Sequence, residues 1–318
     1  MEYYFAPMEG ITGYIHRNVH HSLFPGIGKY FTAFIAPGQK GKFSARERND
    51  ILPAHNEGMY TVPQILTNRA DDFLAAAAGI RKMGWREINL NLGCPSRTVV
   101  TKGRGAGFLA DPEGLDRFFA KVFAARGEAF PADLAISVKT RLGMEEPEEF
   151  EGLLAIYNKY PLKELVIHPR TQRDFYSGPV HMEMFRSGLE SSRCPVCYNG
   201  DIRTKEDMDR LTEMFPQLNR VMIGRGLLAN PALVRVLEGG AMPGREELRA
   251  YHDRIYAWYL QEMPGVKPAL FKMKELWVYL GELFADAGKP LKKIRKAEKT
   301  DAYEEAVDAL FRECPLKE

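Results

Sequence analysis

Short apolar, β-rich runs alternate through residue 223 with longer segments whose apolar residues recur at helical spacing. The runs fall at residues 3–6, 30–35, 61–66, 87–92, 134–139, 164–168, 195–199 and 220–223. Amphipathic segments at 70–83, 112–126, 148–159 and 205–215 lie between several of them. This strand-then-helix order predicts parallel strands joined by crossover helices. Eight such strands over about 235 residues match a (β/α)8 TIM barrel, which typically takes ~250 residues. A doubly wound open sheet is the competitor. It carries a glycine fingerprint after its first strand, and Ala6-Pro7-Met8-Glu9-Gly10 is not one.

Strand signals stop at the glycine- and proline-bearing stretch 237–244, which reads as a linker. Beyond it, 245–263, 267–287 and 301–314 read as helices, with Tyr251, Ile255, Trp258 and Tyr259 at helical spacing. The expected organisation is a barrel over residues 1–238 and a small C-terminal helical domain over 244–318. Residues 267–299 hold nine basic side chains against four acidic ones, a net of +5. Such a run is either a solvated helical face or a surface for a phosphate backbone.

The polar residues of the barrel share a register. Gln64, Asn91, Lys139, His168 and Asn199 each fall near the C-terminal end of an apolar run, and Arg141, Arg170 and Arg225 follow three of the runs. In a parallel barrel these ends converge on one face, where barrel active sites lie. Asn89-Leu90-Asn91-Leu92-Gly93-Cys94-Pro95-Ser96 puts a thiol on the loop after the fourth run. The glycine-studded segment behind it, with Lys102 and Arg104, reads as a mobile lid beside a reactive group. A buried cysteine followed by an ordinary loop is the plainer reading.

Asn199-Gly200 and Gly224-Arg225-Gly226 follow the seventh and eighth runs, where barrels often hold a phosphate. Glycines there admit an anion to backbone N–H groups, and Arg225 is suited to pair with it. Lys139, entering a barrel interior, needs an anionic partner or a shifted pKa, unless it serves a structural salt bridge. His168 is suited to bond a ring or to act as an acid or base.

Composition narrows the classes further. The chain has 318 residues, 45% hydrophobic and 27% charged, with a formal net charge of +2. That is a globular composition, not a disordered one, and any attraction for polyanions must be local. The opening Tyr3-Tyr4-Phe5-Ala6-Pro7 lacks the basic and apolar regions of a signal peptide. No segment approaches the ~20 apolar residues of a membrane span. Four cysteines in a chain this long do not make a disulfide framework. A cytoplasmic protein is expected. Cys194-Pro195-Val196-Cys197 has CxxC spacing, but it leads into a strand and has no second ligand pair. No metal site is expected.

Together these motifs resemble those of the tRNA-dihydrouridine synthases, flavin enzymes that reduce uridine in tRNA. The resemblance covers nearly the whole chain. Ala6-Pro7-Met8-Glu9-Gly10 is similar to the family's opening strand-end motif, and Pro63-Gln64-Ile65-Leu66 to its third-strand segment. The run from Asn89 to Ser96 resembles the family signature. Val138-Lys139-Thr140-Arg141-Leu142-Gly143 resembles the fifth-strand motif, and His168-Pro169-Arg170-Thr171 with Tyr176-Ser177-Gly178 the sixth. Asn199-Gly200-Asp201 and Ile223-Gly224-Arg225-Gly226 resemble the phosphate-binding pair. The C-terminal helices resemble the tRNA-recognition domain. Thr67-Asn68 departs from the glycine-containing pair that many members carry after the third strand.

The resemblance implies an enzyme that uses FMN, and NADPH or NADH as reductant, to convert uridine to 5,6-dihydrouridine in tRNA. It implies that Pro7, Met8 and Gln64 border the flavin ring, with Lys139 and His168 at its polar edge. Asn199, Gly200, Asp201, Gly224 and Arg225 would hold its phosphate. Hydride would pass from flavin N5 to uracil C6, and Cys94 would donate a proton to C5, which requires an intact thiol. Asn91, Arg141 and Arg170 would contact the uracil or a nearby nucleotide. Lys102 and Arg104 would close over a flipped base. Lys272, Lys274, Lys292, Lys293 and Arg295 would grip the RNA. A monomer is expected. The alternatives are a flavin enzyme of the dihydroorotate or dihydropyrimidine type acting on a free pyrimidine, and a tRNA-binding protein that assists folding.

Overall fold

The computed structural model describes residues 1–38, 41–127 and 133–317. Eight strands, β1 (Glu2–Phe5), β2 (Ile27–Ile35), β3 (Thr61–Ile65), β4 (Glu87–Leu92), β5 (Ala135–Thr140), β6 (Leu165–Ile167), β7 (Val196–Tyr198) and β8 (Arg220–Ile223), close into one barrel in chain order. β3 and β4 are buried along their whole length, because the barrel interior covers one face and helices the other. Tyr4, Ala6, Phe31, Val62, Val166, Cys197 and Met222 form one apolar cluster. Cys197 of the CxxC run is therefore core, and both its cysteines are free thiols. The parallel register sets Gln64 beside Asn89 and Asn91 beside Lys139.

The helix Ala70–Lys82 shows how the outer layer forms. Its buried residues Phe73, Ala76, Ala77 and Ile80 recur at three- and four-residue spacing. Asp71 and Asp72 open it and Arg81 and Lys82 close it, matching the helix dipole at both ends.

At the strand starts lies a buried charge cluster. Lys29 Nζ sits 3.1 Å from Glu164 and 3.4 Å from Glu87. Tyr4 donates to Glu164 at 2.8 Å, and Tyr60 and Lys163 donate to Glu87 at 2.7 and 2.6 Å. Each carboxylate thus meets a cation and a hydroxyl, the condition under which buried charge is tolerated.

The chain forms two compact units. One is Met1–Pro7, Gly28–Gly200 and Thr212–Met222; the other is Met8–Ile27, Asp201–Leu211 and Ile223–Glu318. The second unit is thus not drawn from the C-terminal helices alone. Tyr14, Ile15, Val19 and Phe24, on and just after the helix Tyr14–Leu23, share one core with Leu248, Tyr251, Ile255, Leu270, Trp277 and Tyr303.

Several helices differ from expectation. The segment 267–287 is not one helix: Val266–Leu280 ends in a 3-10 turn at Gly281–Leu283, and a new helix starts at Gly288. The break has a cause, since Leu283 and Phe284 turn into the core and Asp286 adopts φ +54°. Helices at Met182–Ser191, Arg225–Ala229 and Leu233–Leu237 lie outside the segments expected to be helical. The stretch 237–244 is braced, because Arg235 donates to Ala241 O at 3.0 Å and pairs with Glu247 at 2.8 Å.

Candidate active site

A hydrogen-bonded relay of side chains runs across three strands to the thiol turn. Asn89 Nδ2 donates to Ser137 Oγ at 3.0 Å, and Gln64 Nε2 donates to Asn89 Oδ1 at 2.8 Å. Asn91 Nδ2 donates to Gln64 Oε1 at 2.7 Å, and Asn91 Oδ1 accepts the amides of Gly93 and Cys94 at 3.0 and 2.9 Å. A satisfied buried network of this kind is rigid. It fixes the turn on which Cys94 stands half-buried.

The glycine segment behind Cys94 is packed, which corrects the expectation of a slack lid. Residues Arg97–Val100 form a short helix and Gly105–Ala110 a 3-10 turn. Gly105 has φ +57°, and a Cβ there would lie 2.8 Å from Cys94 O and 3.0 Å from Cys94 Cβ. Ala106 N donates to Cys94 O at 3.0 Å. The glycines serve close approach to the thiol turn. Asn68, the departing residue, donates to Lys102 O at 3.2 Å. Lys102 is exposed and Arg104 half-buried.

Lys139, the residue before the last of β5, is partly buried. Among the described residues no carboxylate stands within ion-pair distance of it. Burial lowers its ammonium to about 7, and the neighbouring Arg141 pushes the same way. Arg141 itself is fully buried, and burial lowers it to about 10. Its guanidinium donates to the carbonyls of Gly93 at 2.9 Å, Thr171 at 2.7 Å and Phe175 at 2.6 Å. It braces the Cys94 turn against the loop after β6.

His168 follows β6 and is buried. Arg170 Nη1 lies 3.2 Å from its Nε2, and Arg170 Nε donates to Gly178 O at 2.8 Å. A guanidinium only donates, so Nε2 accepts and the ring proton sits on Nδ1. Tyr176 and Phe175, both about half exposed, stand on this loop. Phe175 holds φ +50°, strained for an aromatic residue, while Arg141 clasps its carbonyl.

In the first unit Asn199 Nδ2 donates to Met222 O at 2.8 Å. A Cβ on Gly200 would lie 2.1 Å from Tyr198 Oη, so only glycine fits. In the second unit Arg225 pairs with Asp201 at 2.5 Å, and a Cβ on Gly226 would lie 2.2 Å from Ile202 O. Pro7 and Met8 are half-buried after β1, and Met8 N donates to Thr12 Oγ at 2.8 Å.

Lys292, Lys293 and Arg295 are exposed on the helix Gly288–Lys296, whose Pro290 and Ile294 face inward. Lys274 is half exposed, whereas Lys272 Nζ donates to Gly10 O at 2.5 Å. Phe271 and Val278 are 61% and 67% exposed and form one stripe with Lys267 and Lys274. Sequence reasoning missed both apolar residues. The signal was there: they fall opposite the buried positions Ala269, Met273, Leu276 and Leu280.

The fold is that of a (β/α)8 barrel enzyme. It is shared with morphinone reductase, at a TM-score of 0.52 and 14% identity over 79% of this chain and 88% of that one. A family model for dihydrouridine synthase matches residues 4–309, and the chain belongs to that enzyme family. The tRNA-dihydrouridine(16) synthase of Cupriavidus necator is 29% identical over 299 residues, covering 89% of this chain and 91% of the relative. The protein of the same name from Ralstonia nicotianae is 30% identical over 242 residues, covering 74% and 72%. A probable tRNA-dihydrouridine synthase of Staphylococcus aureus is 29% identical over 236 residues, covering 71% and 68%. Among the described residues there is no cluster of potential metal ligands, and no helix is long and apolar enough to cross a membrane.

Proposed function

We propose that the chain reduces uridine to 5,6-dihydrouridine in tRNA, with FMN as cofactor and NADPH or NADH as reductant, as a cytoplasmic monomer. The observation that carries this reading is the Cys94 turn: a half-buried thiol at a strand end, held by Asn91 and backed by Gly105. The strand beside it carries Lys139 near its end, a cation lacking an acidic partner among the described residues. Family membership and the names of the relatives support the substrate.

The residues fit a flavin mononucleotide. A partly buried cation suits the electron-rich N1 and C2=O edge of the ring. Lys139 and His168 would sit at that edge and Pro7, Met8 and Gln64 beside the ring. Asn199, Gly200, Asp201, Gly224 and Arg225 would hold the phosphate. When bound, the flavin supplies a hydride from N5 to uracil C6.

The chain's own residues do the rest. Cys94 Sγ donates a proton to C5 from the opposite face. Arg141 and Asn91 hold the turn that aims it, with Arg141 and Arg170 beside the nucleotide. Lys102 and Arg104 would face the flipped base. Lys267, Phe271, Lys274, Lys292, Lys293 and Arg295 would grip the RNA and offset a flipping cost of a few kcal/mol. Two of the relatives are named for position 16, which is the first position to examine.

Cys94→Ala tests the reading. The variant should keep bound flavin and its reduction by NADPH and lose most dihydrouridine formation, read at each position of tRNA from a deletion strain. Full activity on tRNA would remove Cys94 as the acid. Equal turnover of free uridine, without salt dependence, would favour a free-pyrimidine enzyme.

A further inference from the structure

The loop after β1 is folded on itself and held by two cations. Ile11 N and Thr12 N both donate to Met8 O at 3.0 Å, and Met8 N donates to Thr12 Oγ. The fully buried Arg17 donates to Thr12 O at 2.8 Å. Lys272 donates to Gly10 O at 2.5 Å and lies 3.4 Å from Glu275. Its side chain is only 21% exposed. Gly10 has φ +87°, and a Cβ there would touch Glu275 at 3.5 Å and Lys272 at 3.8 Å. Backbone and ion pair meet at van der Waals distance.

Lys272 was expected to contact RNA, and the helix geometry separates it from that surface. Lys267, Phe271, Lys274 and Val278 share the outermost stripe of Val266–Leu280. Lys272 lies about 100° round the helix from Phe271. An ammonium has three N–H groups, and here two are directed at Gly10 O and Glu275.

We propose that Lys272 is a positioning residue that fixes the loop 8–12, and with it Met8, and does not contact RNA. The inference rests on the reading that Met8 borders the cofactor. Helix Val266–Leu280 then has two duties on two faces: the outer stripe meets the nucleic acid, and Lys272 holds the loop.

The experiment uses full-length Lys272→Met, Lys272→Arg and Lys274→Met. Hydrogen exchange of the amides in residues 8–12 is measured without ligand, alongside the slope of log K for tRNA against log salt and the Kd for FMN. Lys272→Met should speed loop exchange about tenfold, the effect of losing a charge-assisted hydrogen bond, and weaken FMN severalfold, with the salt slope unchanged. Lys272→Arg should restore slow exchange. Lys274→Met should lower the slope by about 1 and leave exchange alone. Unaltered exchange in Lys272→Met overturns the proposal, as does a slope lowered by about 1 in that variant. Failure of the wild type to bind FMN would sink the functional reading instead, while the exchange result would still decide the role of Lys272.

Discussion

The side-chain oxygen of Asn91 accepts the backbone amide of Cys94 at 2.9 Å, so a strand residue aims the thiol that follows it by three positions. The same oxygen takes Gly93 N, and the amide nitrogen holds Gln64. Asn91→Leu should therefore strand two backbone donors and one acceptor. Stability should fall by about 2 kcal/mol in denaturant unfolding. Dihydrouridine formation should fall about 100-fold, since misplacing a reacting group costs on that order. Asn91→Asp keeps both amide bonds and should retain most of the stability. If the two variants unfold alike, the turn does not depend on that oxygen.

Arg141 was expected to contact the nucleotide, and the structure adds a brace between Gly93, Thr171 and Phe175. Lysine cannot reproduce three divergent donors from a planar group. Arg141→Lys should lower the urea midpoint by an amount equivalent to about 2 kcal/mol. Proteolysis near Phe175 should quicken, because Arg141 holds its strained backbone. An unchanged midpoint would show that the three carbonyl bonds add little.

The eight strands were legible because parallel-barrel strands are apolar runs ended by polar residues. Gln64, Asn91, Lys139 and His168 stood out by that position, and the structure puts Gln64, Asn91 and the Cys94 turn in one relay. The partners were not legible. Nothing in the spacing says that Arg141 reaches Gly93 across 48 residues, or Lys272 reaches Gly10 across 262. Gly105 was read as slack because a glycine's sequence context does not reveal whether its missing Cβ gives freedom or room. The helix Tyr14–Leu23 was missed because His16, Arg17 and His20, polar in sequence, are buried.

Burial lowers Lys139 to about 7, so above that pH it is largely neutral in the apoprotein. An electron-rich ligand edge placed against it favours the ammonium and raises its pKa. Reconstitution with FMN at pH 8 should therefore take up a fraction of a proton, seen by calorimetry in buffers of different ionisation enthalpy. Lys139→Met should abolish the uptake. Identical heats in all buffers for the wild type would separate Lys139 from the ligand.

Phe271 is exposed between Lys267 and Lys274, which suits a platform for a nucleobase flanked by phosphates. Stacking of one base on an aromatic side chain is worth ~1–3 kcal/mol. Phe271→Ala should weaken tRNA binding by roughly 5- to 150-fold, as that energy converts, without changing the salt slope. Lys267→Met and Lys274→Met should each reduce the slope by about 1. Unaltered affinity in Phe271→Ala would leave the stripe without a stacking role.

The second unit should fail in acid before the barrel does. His16 bonds Tyr251 Oη at 2.8 Å, His20 meets Pro231 O at 3.0 Å, and His252 lies between Asp253 and Tyr303 at 2.8 Å each. Burial holds all three below 6.5, His20 at about 3. In the unfolded chain they titrate near ~6.5. The unfolded state thus binds more protons below that pH, and the stability present above it is lost as pH falls. His20 alone should cost about 2 kcal/mol at pH 5. The barrel floor behaves differently. Burial pushes the Glu87 carboxyl up, but Lys29 and the bonds from Lys163 and Tyr60 outweigh it and hold it low. Its contribution persists until the pH drops below the ordinary carboxyl range of ~4.5. Melts followed by tryptophan emission should therefore show Trp258 and Trp277 losing their environment between pH 6.5 and 5 while Trp85 keeps its own. His20→Gln should flatten the curve by about 2 kcal/mol at pH 5. An acid profile identical to wild type in that variant would mean that His20 stays neutral through the transition.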